Sequence, residues 1–470
     1  MLRPSLLKSV NDSVSFTCRR WLAAGNFPPP DFDWDYLLHD ASIEDNIVHR
    51  KGVGDIQRLR RLVADSIDAA SSSSSSFPPP TLAPDLLDEA LRIPNATHPD
   101  VPIGDETQSR VVAEFNSKRS FSFPPKTHVE IGFLLKGLRT EDVGLTTGKK
   151  SYYLMNDVAT LERALVKYAL SILRQAGFRL ISVPDILRHD VIRRCGFETD
   201  NVANNAVYKV KLPRTSTVVD AGGNDDNDDD NIEQNECDVE EFCLSGTAEM
   251  GIAGFFKDTT FRASELPLKI AAVSRCFRSE MSTRAIDRGL YRVLQFTKVE
   301  MFCLTRGDVE ESEAMLTELL TLQRRIFEPL GICCRVLEMS TQELGAPAYH
   351  KYDVEAWIES RDAFSEISST SNCTDYQSRR LGFRYIDDQG GEEGKLVHCH
   401  SLNGTACAVP RLIQTILEHH QLENGEVTVP EVLVPFCRNK RKLELKPEWP
   451  VYFYKDFGEK IPALNTRDKP

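Results

Sequence analysis

Residues 274–304, SRCFRSEMSTRAIDRGLYRVLQFTKVEMFCL, narrow the possible folds of this chain more than any other stretch. Two runs rich in apolar residues flank a polar, Arg-containing loop, which predicts two antiparallel strands joined as a hairpin. The first strand ends in Arg278-Ser279-Glu280, and the second is expected to carry Arg292, Phe296 and Glu300. Evenly spaced side chains share one face of a strand, so a cation, a ring and a carboxylate would stand together. That face suits a nucleotide and a small zwitterion. Cations meet phosphate oxygens, a ring stacks on a base, and a carboxylate receives an ammonium. On spacing alone, a hairpin with an ordinary charged, solvated face is the simpler reading.

The 470 residues allow two or three domains, and 41% hydrophobic with 27% charged residues is a globular composition. No window approaches the length of a membrane span, so no membrane association is expected. The net charge of −13 is unevenly placed. Residues 220–241 hold eleven acids and no Lys or Arg, which leaves the rest close to neutral. Net charge therefore does not argue against a nucleic-acid partner. Twelve scattered cysteines imply a reducing compartment and buried thiols.

In chain order, residues 1–25 set Arg3, Lys8, Arg19 and Arg20 against one acid, Asp12, the composition of a mitochondrial transit peptide. Residues 32–93 hold a short helical unit. Ile43, Ile47 and Val48 begin it, Gly52 and Gly54 interrupt it, and Ile56, Leu59, Leu62, Val63 and Ile67 continue it. SSSSSSFPPP (71–80) then forms a linker before a short helix near 84–92. GLTTGKKS (144–151) places three residues between Gly144 and Gly148 where a phosphate loop needs four, so it is read as a turn. Leu161, Leu165, Tyr168 and Ile172 mark a helix ended at Gly177, followed by a strand FRLISVPDIL with Pro184 inside it. The acidic run 220–241 lacks the Gly and terminal Glu of an EF-hand loop and is expected to be a solvated insertion.

CFRSE followed by RGLYRVLQFTKVEMF closely resembles motif 2 of class II aminoacyl-tRNA synthetases, in the form found in seryl-tRNA synthetases. SGTAEMGIAGFF (245–256), ELGAPAYHKYDVEAW (343–357), FSEISSTSNCTDYQSRRL (364–381) and HSLNGTACAVPRL (400–412) extend the resemblance, in the family's order, over roughly residues 91–437. It implies an α+β fold, a class II antiparallel sheet flanked by helices, with a reduced N-terminal helical arm. The catalytic domain would span 94–437, with the acidic insertion 220–241 and a basic extension at 438–470. Its motif 1, the helix marked by Leu161 to Ile172 and the Pro-containing strand FRLISVPDIL, implies a homodimer. The implied activity is activation of L-serine with ATP and Mg2+ and transfer of serine to mitochondrial tRNA(Ser) in the mitochondrial matrix.

The resemblance also assigns roles. Arg278 would contact the α-phosphate and the serine carboxylate, Glu280 the adenine, and Phe296 would stack on it, with Ser279 and Arg292 nearby. Glu300 would accept the ammonium, helped by Thr247, Ala248 and Glu249. Glu366 and Ser369, in the run Glu366-Ile367-Ser368-Ser369, would hold magnesium against ATP, and the four residues together belong to the ATP site. Arg411 would meet the γ-phosphate, while Asn403 and Thr405 face the serine, Thr405 at its hydroxyl. A site built to hydrogen-bond a hydroxyl rejects a substrate lacking it. Arg278, Glu280 and Arg411 are the expected catalytic residues.

Several features depart from the pattern. The loop MSTRAIDRG is one residue short, Leu294 replaces a usual His, and Ala406 and Pro410 stand where glycines are common. Pro in a helix's first turn is sterically acceptable. His398-Cys399-His400 and Cys333-Cys334 do not match paired zinc-ligand spacing. Arg438, Lys440, Arg441 and Lys442 form a basic cluster that is either solvated or an RNA contact. Two other readings stay open: an inactive synthetase-like paralogue, and a ligase that loads an amino acid onto a carrier protein.

Overall fold

The computed structural model describes residues 27, 30–71, 82–140, 143–197, 199, 207–213, 239–280, 289–387 and 394–446. The expected transit peptide, most of the Ser/Pro linker and of the acidic insertion, the motif 2 loop 281–288 and the tail beyond 446 lie outside these residues.

Among the described residues four helices come first: α1 (Trp34–His39), α2 (Ile43–His49), α3 (Ile56–Ser71) and α4 (Pro84–Arg92). The expected interruption holds, since Lys51, Gly52 and Gly54 all have positive φ between α2 and α3. Ile43, Ile47, Leu59, Val63, Leu86 and Ala90 close into a small core of their own. Arg50 fastens this unit to the main body. It is buried, and its guanidinium donates to the backbone carbonyls of Asn95 (3.0 Å), Ala348 (2.9 Å) and Gly345.

In the main body, β1 (Arg110–Phe115), α5 (His128–Leu134), β2 (Leu138–Arg139) and β3 (Tyr153–Leu154) lead into α6 (Asn156–Gln175). Then come β4 (Arg179–Ile181), β5 (Ile186–Arg188), α7 (His189–Arg194), β6 (Lys209–Pro213), β7 (Val239–Leu244) and α8 (Ala248–Phe255). Strands β8 (Thr260–Arg262), β9 (Leu268–Phe277) and β10 (Gln295–Thr305) precede α9 (Val309–Phe327). The chain continues with β11 (Cys334–Glu338), β12 (His350–Ile358), β13 (Ala363–Asn372), α10 (Tyr376–Leu381), β14 (Arg384–Asp387), β15 (Lys395–His398), β16 (His400–Ala408) and α11 (Val409–His419). A final two-stranded ribbon pairs Val427 with Leu443.

Among the described residues eight strands make the central sheet, in the order β1-β11-β12-β13-β16-β10-β9-β4. Its pairs are antiparallel except β4 with β9, which is parallel. Along β10 the alternation is clean. Val299, Met301 and Cys303 enter the main core with Leu165 of α6, Leu319 of α9 and Ile413 of α11. Phe302 and Leu304, with the opposite parity, enter a second core with Ala248, Ile252 and Phe383. Phe296, Lys298 and Glu300 share that second face.

Two expectations need correction. FRLISVPDIL is two strands, not one: β4 joins the central sheet, while β5 pairs with β7 in a separate three-stranded sheet, and Pro184 lies between them. Proline cannot donate to a ladder, so the break falls at that residue. The last acids of the acidic run, Glu240 and Glu241, belong to β7 and pair with Leu212 and Lys211 of β6.

Candidate functional site

The hairpin forms as expected, with Gln295–Leu304 in register against Phe277–Leu268. Arg292 is not on its second strand. It lies in the turn before β10 and pairs with Glu280 across 3.4 Å. Glu280 has φ of 34°, and its carbonyl accepts from Lys150 Nζ at 3.0 Å, which fixes the bend leaving β9. Half-buried Ser279 sits in that bend. The Arg278 guanidinium stands 5.4 Å from the centre of the Phe296 ring.

One end of the cleft is built from carboxylates. Glu300 is 1% exposed; it accepts from Thr247 Oγ1 at 3.1 Å and is in contact with the Lys298 ammonium. Thr247 also caps α8. This places Glu249 in the helix's first turn, while Ala248 turns into the second core. Glu249 Oε1 accepts from Gln377 Nε2 (2.6 Å) and Asn403 Nδ2 (3.0 Å). Burial, then the neighbouring Glu300, push the Glu249 carboxyl up to about 7. Burial also raises Glu300, against the opposing pull of Lys298 and Thr247. Thr405 lies opposite Glu300 across β10 and β16, and its hydroxyl accepts from Lys298 Nζ at 3.3 Å.

The other end is cationic. Arg411, in the first turn of α11, pairs with Glu366 at 3.1 Å and donates to the Glu366 carbonyl at 3.0 Å. The fully buried Val409, Leu412, Ile413, Ile416 and Leu417 turn that helix so that Arg411 points out of the core. The Tyr291 ring lies beside it, 4.7 Å from the Arg411 guanidinium and 4.1 Å from that of Arg361. Burial would raise the Glu366 carboxyl, but Arg411, Lys351 and Arg278 outweigh it and hold it at about 2. Arg278 also draws down Glu300, so its charge reaches both ends of the cleft.

Ile367 and Ser368 are turned away from this cleft. Ile367 is in the main core, and the Ser368 hydroxyl bonds Gln323 of α9 and the Thr405 carbonyl. The cause is a β-bulge: Val354 pairs with Ser368 and Glu355 with Glu366, leaving Ile367 as the extra residue. Ser369 stays half-buried opposite Asp353, one of whose carboxylate oxygens is buried without a partner. Two ionised or ionisable carboxylates and a hydroxyl make a hard-oxygen donor set that fits magnesium.

Lys298 and Gln377 went unnoticed in the sequence. Lys298 was findable, since it lies midway between Phe296 and Glu300 on the face they share. Gln377 was not, because its contact crosses 128 residues. The histidines already rejected as zinc ligands and the basic cluster near the C-terminus have partners outside the cleft. His398 bonds Asp31 and His400 bonds Ser312, on different strands. Lys440, Arg441 and Lys442 pair with Asp157, Glu431 and Glu426. A cluster of His98, Glu313 and His350 lies elsewhere, but both His350 nitrogens already bond carboxylates and its ring stacks on His98 at 13°. Near-parallel stacked rings do not aim two nitrogens at one ion. A cavity of about 550 Å³ lies between the helical unit and the main body, lined by Tyr36, Asn95 and Asp375.

Comparison with known proteins agrees with this architecture. The tRNA synthetase class II core domain (G, H, P, S and T) matches residues 232–420. The chain is 42% identical to the mitochondrial serine–tRNA ligase of Mus musculus, over 76% of its own length and 63% of that protein's. It is 40% identical to the serine–tRNA ligase of Rubrobacter xylanophilus, over 75% of each. The seryl-tRNA synthetase of Pyrococcus horikoshii, solved with ATP, superposes with a TM-score of 0.70 at 26% identity, covering 88% of this chain and 100% of that one. The cytoplasmic enzyme of Naegleria fowleri, solved with AMP, gives 0.66 at 27% identity, covering 93% and 92%. No described helix is long and apolar enough to cross a membrane. Sequence relatives, the matched core domain and the eight-stranded sheet agree: this chain belongs to the seryl-tRNA synthetase family of class II aminoacyl-tRNA synthetases.

Proposed function

We propose that this protein activates L-serine with ATP and transfers it to the 3′ end of tRNA(Ser). The observation that carries this reading is the Arg278 guanidinium 5.4 Å from the Phe296 ring, at the end of the hairpin whose second strand also carries buried Glu300. A serine ammonium against Glu300, Glu249 and Thr247 would bring its carboxylate toward Arg278. An ATP stacked on Phe296, with Glu280 at the adenine edge and Arg292 at the phosphates, would bring its α-phosphate to the same guanidinium. A serine carboxylate oxygen then attacks the α-phosphorus and pyrophosphate leaves. This step needs in-line positioning and charge neutralisation, and no general base. Arg411 would hold the terminal phosphate, and Glu366 and Ser369 would hold Mg2+. When bound, that ion neutralises phosphate oxygens.

The names of the mouse and cattle relatives and the basic N-terminal 25 residues support a mitochondrial matrix location. A homodimer through the motif 1 region, a catalytic domain over 94–437 and a reduced arm over 32–93 complete the reading. The test is serine-dependent ATP–pyrophosphate exchange by the purified full-length protein. Wild-type protein is expected to exchange, and Arg278→Ala to lose at least about 100-fold. A folded wild type that shows no exchange would leave the inactive-paralogue reading standing. Exchange with charging of a carrier protein instead of tRNA(Ser) would favour the other ligase.

A further inference from the structure

Lys298 lies on the floor of the serine end of the cleft, 6% exposed, with its ammonium on the Glu300 carboxylate. The same ammonium donates to Thr405 Oγ1 at 3.3 Å. A β-bulge makes this meeting possible. Val299 pairs with Cys407 and Glu300 with Thr405, so Ala406 is the extra residue and Thr405 comes onto the Lys298 face. An ammonium has three donors and no acceptor. Toward Lys298 the Thr405 oxygen can only accept, so its own proton is left to donate elsewhere. Among the described residues Lys298 is the sole hydrogen-bond partner of that hydroxyl.

We propose that Lys298 is a positioning residue that fixes the polarity of the Thr405 hydroxyl, so that Thr405 donates to the side-chain oxygen of the amino-acid substrate. The inference rests on the serine-activating reading above and adds to it the direction of the selecting hydrogen bond. A substrate with an acceptor oxygen at its β-carbon completes the chain Lys298–Thr405–substrate. Alanine leaves the Thr405 proton buried and unpaired, which is penalised far more than a lost contact. Without Lys298, Thr405 is free to rotate and satisfy its proton on Glu300, and the penalty against alanine falls.

The test is the ratio of kcat/KM for serine to that for alanine in pyrophosphate exchange, measured for wild type, Lys298→Met, Thr405→Val and the double variant. The ratio cancels any general effect of removing a cation from beside Glu300. It is expected to fall about 10- to 100-fold in Lys298→Met, similarly in Thr405→Val, and no further in the double variant. Equal losses for both amino acids in Lys298→Met, or independent losses that multiply in the double variant, would overturn the positioning role and leave the serine-activating function intact. A wild type without serine-dependent exchange overturns both. If thermal unfolding shows that Lys298→Met does not fold, Lys298→Gln gives the same reading. An amide both donates and accepts, so the ratio should fall there too, and an unchanged ratio refutes the proposal.

Discussion

Glu249 is a buried carboxyl whose protonation departs from the ordinary one. Its carboxyl sits at about 7, raised by burial and by Glu300, from an ordinary value of 4.5. A raised folded value means the protonated form is favoured below pH 7. Its contribution to stability is therefore full below about 4.5 and is lost as pH rises through about 7. A substrate ammonium favours the ionised form, so serine binding should expel a proton. Serine affinity is expected to rise with pH up to about 7 and then level off. Calorimetry at pH 6.5 in two buffers of different ionisation enthalpy measures this directly; identical heats would mean that no proton leaves and that Glu249 is not part of the ammonium site. Arg278, Glu300, Glu366 and Arg411 were legible as residues because each falls inside a recognisable motif. The charge states of Glu300 and Glu366 were not, since they depend on burial and on the cations Lys298, Arg411 and Lys351.

At the scale of elements, the N-terminal helices show how far local pattern reaches. Ile43 with Ile47, and Ile56, Leu59 and Val63, specify α2 and α3 by their spacing, and Pro84 suits the first turn of α4. Nothing in that pattern says where the unit docks. Arg50 decides it by donating to carbonyls some 295–298 residues ahead, and a backbone carbonyl carries no sequence signature. Arg50→Met would strand those acceptors, and should cost about 2–4 kcal/mol. Urea unfolding followed by far-UV circular dichroism should then show the N-terminal helices melting before the sheet. An unchanged midpoint would mean that the small core of Ile43, Leu59 and Leu86 holds the unit in place without Arg50.

Across the whole molecule, the acidic stretch is bounded by two strands that pair with each other. Strands β6 and β7 pair directly, with Pro213 opposite Val239, so the two ends of the stretch between them lie side by side. Loop length added at such a point costs little stability. Deleting residues 221–236 is therefore expected to shift the melting temperature by no more than about 2 °C and to leave serine-dependent exchange within about twofold. A large drop in either would show that the acidic residues contact the body or its substrates. Removing them also takes out much of the negative charge, which should raise the affinity for tRNA at low salt and not at high salt.

Periodicity and motif order by themselves determined the hairpin of β9 and β10, the helix α6 with its Leu161-Leu165-Tyr168-Ile172 stripe, and the strand-to-helix unit of β16 and α11. Each is fixed by side chains a few residues apart, and each is where a reader of residues would put it. The tertiary structure alone decided which of the nominated residues share the cleft. Bulges at Ile367 and Ala406 reverse the facing of the residues beside them, sending Ser368 into the core and Thr405 to Lys298. A single extra residue flips every later side chain to the other face, and only the pairing of distant strands reveals where it sits. The same holds for Arg292, drawn off the strand to Glu280, and for the parallel edge strand β4. Local spacing sets which elements form; strand register across the sheet sets which side chains meet.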